Sequence, residues 1–277
     1  MAQVKSRIHA TSQVPAKKTR FITYCQRIAA ILLLPAIIAI VALMMKKDHQ
    51  EPLIAYNEVT APYGMVSSLT LPDSSKVWLN AGSTLKYPTA FTSNVREVEM
   101  SGEAYFEVHA DKEHPFIVNT GDLKVTATGT AFNICSFAKA QEEVITLVTG
   151  KVAVSQENNI KHLLPGQQLN YQRASKSMEI TDIDTYKYIS WKDGILAFRD
   201  DPLKSIFNRL EQVYQVRFIL KDTSINQFTY RATFKGETLD EILDYMGMSI
   251  PITFRTTETE KEGNDSINVR TIEVYKN

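Results

Sequence analysis

Glu103-Ala-Tyr-Phe-Glu-Val108 alternates large polar or aromatic side chains with small or apolar ones at every step. Side chains in a strand alternate faces, so Ala104, Phe106 and Val108 belong inside and the two glutamates outside. The same period marks Val77-Trp-Leu79, Phe116-Ile-Val118, Leu123-Lys-Val-Thr-Ala127, Val144-Ile-Thr-Leu-Val148 and Lys151-Val-Ala-Val154. Turn chemistry separates them: Pro72-Asp-Ser-Ser75, Asn80-Ala-Gly82, Ser101-Gly102, Asn119-Thr-Gly-Asp122, Thr149-Gly150 and Pro165-Gly166. Short strands at regular spacing, with no long amphipathic helix between them, predict an all-β sandwich or roll over residues 56–171.

Toward the N-terminus the pattern gives way to Ile28-Ala-Ala-Ile-Leu-Leu-Leu-Pro-Ala-Ile-Ile-Ala-Ile-Val-Ala-Leu-Met-Met45, which carries no charge. At ~1.5 Å per residue it reaches roughly 27 Å, close to the ~30 Å hydrocarbon core of a bilayer. Pro35, one residue after Leu34, stands near its middle, where a membrane span tolerates proline. No small-x-small cleavage site follows, so an uncleaved transmembrane helix over 28–45 is expected. Lys5, Arg7, Lys17, Lys18, Arg20 and Arg27 precede it, against Lys46 and Lys47 close behind. The positive-inside rule then places a short tail, residues 1–27, in the cytoplasm and residues 46–277 outside.

Toward the C-terminus, residues 172–190 read as a polar connector, and 191–277 carry an internal repeat. Phe198, Leu203, Ile206, Leu210, Val216 and Phe218 recur 36 positions later as Phe234, Leu239, Ile242, Met246, Ile252 and Phe254. The i, i+3, i+7 spacing predicts a helix in each copy, followed by a strand. Pro202 suits the first position of the first helix, Thr238 and Glu241 have capping-box spacing, and Gly247 is expected to end the second helix. Two strand–helix–strand units and a closing strand near Ile267–Tyr275 make a small α+β domain packing two helices on one sheet.

With 31 basic and 31 acidic residues the net charge is zero, which offers nucleic acid no electrostatic footprint. The two cysteines, Cys25 and Cys135, fall on opposite sides of the proposed membrane. His109 and His114, beside Asp111 and Glu113, lack a third ligand at metal-site spacing and read as solvated loop residues. Neither a phosphate-cradling glycine run nor a nucleophile elbow is present. No enzyme, metal or cofactor is expected.

The strand and turn motifs also carry a resemblance. Leu71-Pro-Asp-Ser-Ser-Lys-Val-Trp-Leu-Asn-Ala81, Leu85-Lys-Tyr-Pro88, Ser101-Gly-Glu-Ala-Tyr-Phe-Glu-Val108, Pro115-Phe-Ile-Val118, Thr128-Gly-Thr-Ala-Phe-Asn-Ile134, Leu147-Val-Thr-Gly-Lys-Val152 and Leu164-Pro-Gly-Gln167 resemble the FecR domain. Residues 191–277 are similar to the domain that commonly follows it, itself like the short N-terminal module of secretins and TonB-dependent receptors. Ser74-Ser75 departs from the family's Asp-Gly-Ser, so the turn must avoid positive φ or tolerate strain.

The resemblance implies a single-pass inner-membrane anti-sigma regulator whose periplasmic part reads the signalling domain of a TonB-dependent outer-membrane transporter. It implies an extracytoplasmic-function sigma factor as cytoplasmic partner. Residues 1–27 are too short for the family's helical sigma-binding domain, which is therefore expected to be missing. The alternative is a membrane-anchored structural or glycan-binding module, for which Trp78, Tyr87 and Tyr105 are the aromatics to inspect. Short strands leave edges open to strand addition. The candidate docking edges are Phe228–Phe234, with Thr229 as test residue, and Ile267–Val274, with Asn268.

Overall fold

Strand β5, Arg96–Glu107, belongs to two sheets at once. In the computed structural model, which describes residues 18–45, 55–261 and 268–277, its first half pairs with β4, Thr84–Pro88, and in parallel with β6, Phe116–Asn119. Its second half pairs with β3, Lys76–Leu79, and β8, Ala131–Ser136. Between the halves stands Gly102 at φ 106°. A Cβ there would lie 2.4 Å from the Ser83 Oγ, which already accepts a 2.8 Å bond from the Glu103 N–H. Only glycine fits both the angle and the approach.

The first sheet continues from β4 to β1, Tyr56–Thr60, and from β6 through β7, Lys124–Ala127, and β10, Val152–Gln156, to β11, Asn159–Leu163. The second continues from β3 to β2, Ser67–Thr70, and from β8 through β9, Glu142–Thr149, and β12, Gln167–Gln172, to β13, Ser177–Asp182. The fold is thus a β sandwich hinged on one shared strand. Phe106 stacks on Phe132 at 5.2 Å and meets Phe116 of the opposite sheet at 6.1 Å, and all three are fully buried. β13 lies inside the stretch read as a connector. Its half-buried Met178 and Ile180 pack on the sandwich core, so pairing with β12 extends the sandwich past residue 171.

At Ser74 the strained alternative holds: its φ is 69°. The turn is closed by Leu71 and Ser75 and by Asp73, which accepts from the Ser75 N–H at 3.0 Å and hydroxyl at 2.7 Å. Arg96 donates to the same carboxylate at 2.6 Å and to the His109 and His114 carbonyls, so this buried ion pair ties the turn to the histidine loop.

The C-terminal part has its own core. It comprises α2, Tyr186–Ile189; β14, Ile195–Pro202; α3, Leu203–Tyr214; β15, Val216–Leu220; β16, Thr229–Lys235; α4, Leu239–Ser249; β17, Ile252–Lys261; and β18, Asn268–Lys276. The repeat is realised as a near-symmetric pair. The two leading strands, β14 and β16, join each other, and the two trailing strands, β15 and β17, flank β18. Ile206 and Ile242 are both fully buried, and Phe198 meets Phe234 edge-on at 6.2 Å. There are consequently two small sheets, of two and three strands, where one was expected.

Thr238 forms the predicted capping box with Glu241. Pro202 sits one place earlier than expected, as the N-cap of α3, without a side-chain cap bond. Gly247 lies inside α4, because the Ile250 N–H still reaches the Met246 carbonyl at 2.9 Å.

The N-terminal helix α1, Lys18–Met45, contains the predicted span and begins ten residues before Ile28, with Pro35 inside it. Thr23–Val41 is long and apolar enough to cross a membrane, with mean hydropathy 2.0, and Ile28 and Pro35 are exposed. Leu34 and Met45 fall within its backbone.

Candidate partner surface and the seam between the two modules

The two candidate edges differ. β18 is the middle strand of its sheet, parallel to β15 on one side and antiparallel to β17 on the other. Asn268 pairs with Lys261, and Val274 is fully buried between Leu220 and Phe254. Over residues 270–274 that strand offers no free edge, whereas Asn268 and Val269 pair with β17 alone; Ile267 lies outside the described residues.

β16 pairs on one side only, with β14. Phe228 precedes it, half-buried, and its carbonyl accepts from the Leu203 N–H at 3.1 Å. With Pro202 facing Thr229, that bond makes the two a non-hydrogen-bonded pair. The Thr229 N–H and carbonyl therefore point away from β14. Thr229, Arg231, Thr233 and Lys235 are exposed, while Phe234 is buried toward the core. Arg231 is held by Asp200 in the bulge of β14.

A second surface went unread in the sequence. Glu103 and Tyr105 point out of the sandwich, as the alternation requires, yet both are buried. The Glu103 carboxylate accepts from Asn80 at 2.6 Å, from Asn133 at 3.0 Å, and from Arg209 of α3. Trp191, 3% exposed, donates its indole N–H to the Asn133 side-chain oxygen at 3.2 Å. Lys192 lies over Trp78 at 5.6 Å and Tyr105 at 5.3 Å, so these aromatics belong to the seam and form no open glycan platform. Tyr87 is half-buried against the sandwich core. Burial, then the nearby Glu107 and Asp193 carboxylates, push the Tyr105 hydroxyl up to about 12.

Beside these contacts lies a cavity of about 200 Å³, lined by Cys135 and Val144 of the sandwich and by Ala197 and Phe198 of β14. Lys187 of α2 pairs with Asp201 at the same cavity. Cys135 keeps part of its surface toward this space, but burial dominates and, with Glu103 nearby, drives its thiol far above the ordinary cysteine range.

No group of three metal-ligating side chains occurs among the described residues. His114 Nδ1 lies 2.8 Å from the Asp111 carboxylate, which also accepts from the His114 backbone N–H at 3.1 Å. These bonds, the side-chain one foremost, hold Asp111 at about 2. The cluster secures a loop.

Comparison with known proteins agrees with this geometry. The family model described as FecR protein matches residues 57–159, and that described as FecR, C-terminal, matches 195–262. Two crystal structures from Parabacteroides distasonis ATCC 8503, each provisionally assigned as an anti-sigma factor, are similar to this chain with TM-scores of 0.69 and 30% identity. The similarity covers 80% of this chain and 99% and 100% of theirs. No curated protein matches the sequence.

Proposed function

The chain belongs to the FecR family of regulators, and we propose that it is a single-pass inner-membrane sensor that docks a partner strand on the free edge of β16. The carrying observation is the outward N–H and carbonyl of Thr229 on a strand paired on one side only. An unpaired edge is a template for an added strand, whose main-chain bonds supply affinity. The partner in this reading is the signalling domain of a TonB-dependent outer-membrane transporter. Residues 46–277 face the periplasm, which rests on the six basic residues before the apolar run against two close behind it. An extracytoplasmic-function sigma factor is the cytoplasmic partner, by similarity to the provisionally assigned anti-sigma factor of P. distasonis. The family is one of regulators rather than enzymes, and no catalytic role is assigned.

Thr229→Pro tests the docking. It removes the outward donor and leaves the β14 ladder its bonds, so the module should stay folded. Capture of transporter signalling domains by the full chain should drop about tenfold or more, the usual scale of one main-chain donor in a buried edge. Undiminished capture by a folded Thr229→Pro chain refutes the edge. Asn268→Pro, by contrast, falls at the start of β18, where the strand pairs with β17 alone, and should leave capture unchanged.

A further inference from the structure

We infer that the seam between sandwich and C-terminal module is a releasable latch: the two modules part along it while each keeps its own core. The first ground is that the two apolar cores are separate. One gathers residues of the sandwich alone and the other residues of 196–274. Among the described residues no apolar cluster spans the seam, and the buried Trp191 ring belongs to neither core, so apolar burial at the seam is local and does not join the two cores.

The second ground is what the seam contains. Its named contacts are polar or cationic: Arg209 on Glu103, Trp191 on Asn133, and Lys192 over two aromatic rings. Lys187 and Asp201 pair at the same cavity. The Arg209–Glu103 pair, which crosses the seam, keeps a foothold in solvent, with Arg209 21% exposed, whereas Lys187 and Asp201 both belong to the C-terminal part. Groups of this kind regain water when they separate, so parting costs far less than opening an apolar interface of the same size. The third ground is the cavity, which shows the two faces incompletely packed just where the charged groups meet. Glu103 stays bonded to Asn80 and Asn133 when Arg209 leaves, so the sandwich face keeps its order in the open state.

Opening would turn Glu103, Tyr105, Asn133 and Cys135 from seam into surface. Cys135 is thus a built-in reporter. Closed, its thiol is only partly exposed toward the seam cavity, and burial holds it protonated. Open, it meets solvent and titrates as an ordinary cysteine, and the thiolate is the reactive form.

The experiment uses the full chain in detergent with Cys25→Ser, leaving Cys135 as its single thiol, and follows labelling by 5,5′-dithiobis(2-nitrobenzoate). Labelling should be slow and should accelerate as salt rises from about 0.1 to about 1 M, which shortens the Debye length from ~10 to ~3 Å. Arg209→Met, which keeps the apolar stem, should label about tenfold faster or more, while Arg209→Lys should stay near the parent rate, as should Lys187→Met, whose ion pair lies within the C-terminal part. Amide exchange at Ile206 and Leu210 should remain slow in every case, because their core does not open with the seam. Three results would overturn the latch: labelling that is fast and salt-independent in the parent, labelling unchanged in a folded Arg209→Met chain, or labelling that rises only in step with exchange at Ile206. Should Arg209→Met fail to fold, the salt response of the parent chain decides.

Discussion

Ile206 and Ile242 occupy equivalent places, 36 positions apart, and each is fully buried. Truncating either to alanine removes three carbon atoms from a closed core. At about 0.8 kcal/mol per buried methylene, the transfer term is roughly 2.4 kcal/mol. The unfilled space adds to it, because the surrounding strands relax only in part, which brings the expected loss to about 3–4 kcal/mol. The near-symmetry sharpens the expectation: Ile206→Ala and Ile242→Ala should cost the same within about 1 kcal/mol, since each lies on the buried face of its helix. Urea unfolding followed by far-UV circular dichroism provides the assay. The transition of the C-terminal module should move to lower urea and that of the sandwich should stay, because the sandwich core shares no residue with this one. Met248→Ala serves as control; its side chain is 83% exposed and its replacement should fall within about 0.5 kcal/mol. A loss below about 0.5 kcal/mol at either isoleucine, or a loss at one only, would refute the repeat as the basis of the core.

Gly102→Ala should destabilise the sandwich by at least about 2 kcal/mol in the same melt, since it combines positive-φ strain with a clash on Ser83; a neutral result would mean that β5 can bend elsewhere. Asp111, held at about 2 by His114, is a depressed acid, so its stabilising contribution is present above its ordinary value of 3.8 and is lost as pH falls toward 2. Its carboxyl carbon should titrate in that low range by NMR, and His114→Ala should return the midpoint toward 3.8; an unmoved midpoint disproves the assignment. A protein that fluoresces only in the cytoplasm should be dark when fused after Asn277, and brightness there would reverse the proposed topology.

What could be read from the sequence was whatever is encoded locally. The period of two placed β3, β6, β7, β9 and β10 because each strand's own neighbours set which side chains face inward. The 36-residue repeat named six residue pairs, and eleven of the twelve residues are buried, with Phe254 half-buried. Thr238 capped its helix because a capping box closes within four residues. Pairing order is different in kind. Nothing near Asn268 or Val274 says that their strand lies between two others, because those partners come from residues 216–220 and 252–261. Gly247 looked like a stop, but the helix continues where its carbonyls still find donors. β13 had a local sign, the alternation of Met178 and Ile180, beneath the polar composition of its stretch.

The failure at Glu103 is the most informative of these. Alternation correctly aimed its carboxylate outward, and polarity then implied solvent; the first inference is about the strand, the second about the rest of the molecule. Arg209, whose guanidinium meets that carboxylate, lies 106 residues away. No window of sequence can hold both. A buried carboxylate without its partners would be costly, so Asn80, Asn133 and Arg209 must all be in place for the face to be covered at all. That requirement separates two tasks. Apolar side chains at regular spacing build each module, and they work wherever the chain folds. At the seam, charged and amide groups decide how the finished modules meet, and they satisfy water almost as well when the modules stand apart. A sensor that must change shape without unfolding needs this division, and here it falls along the outer face of one sheet.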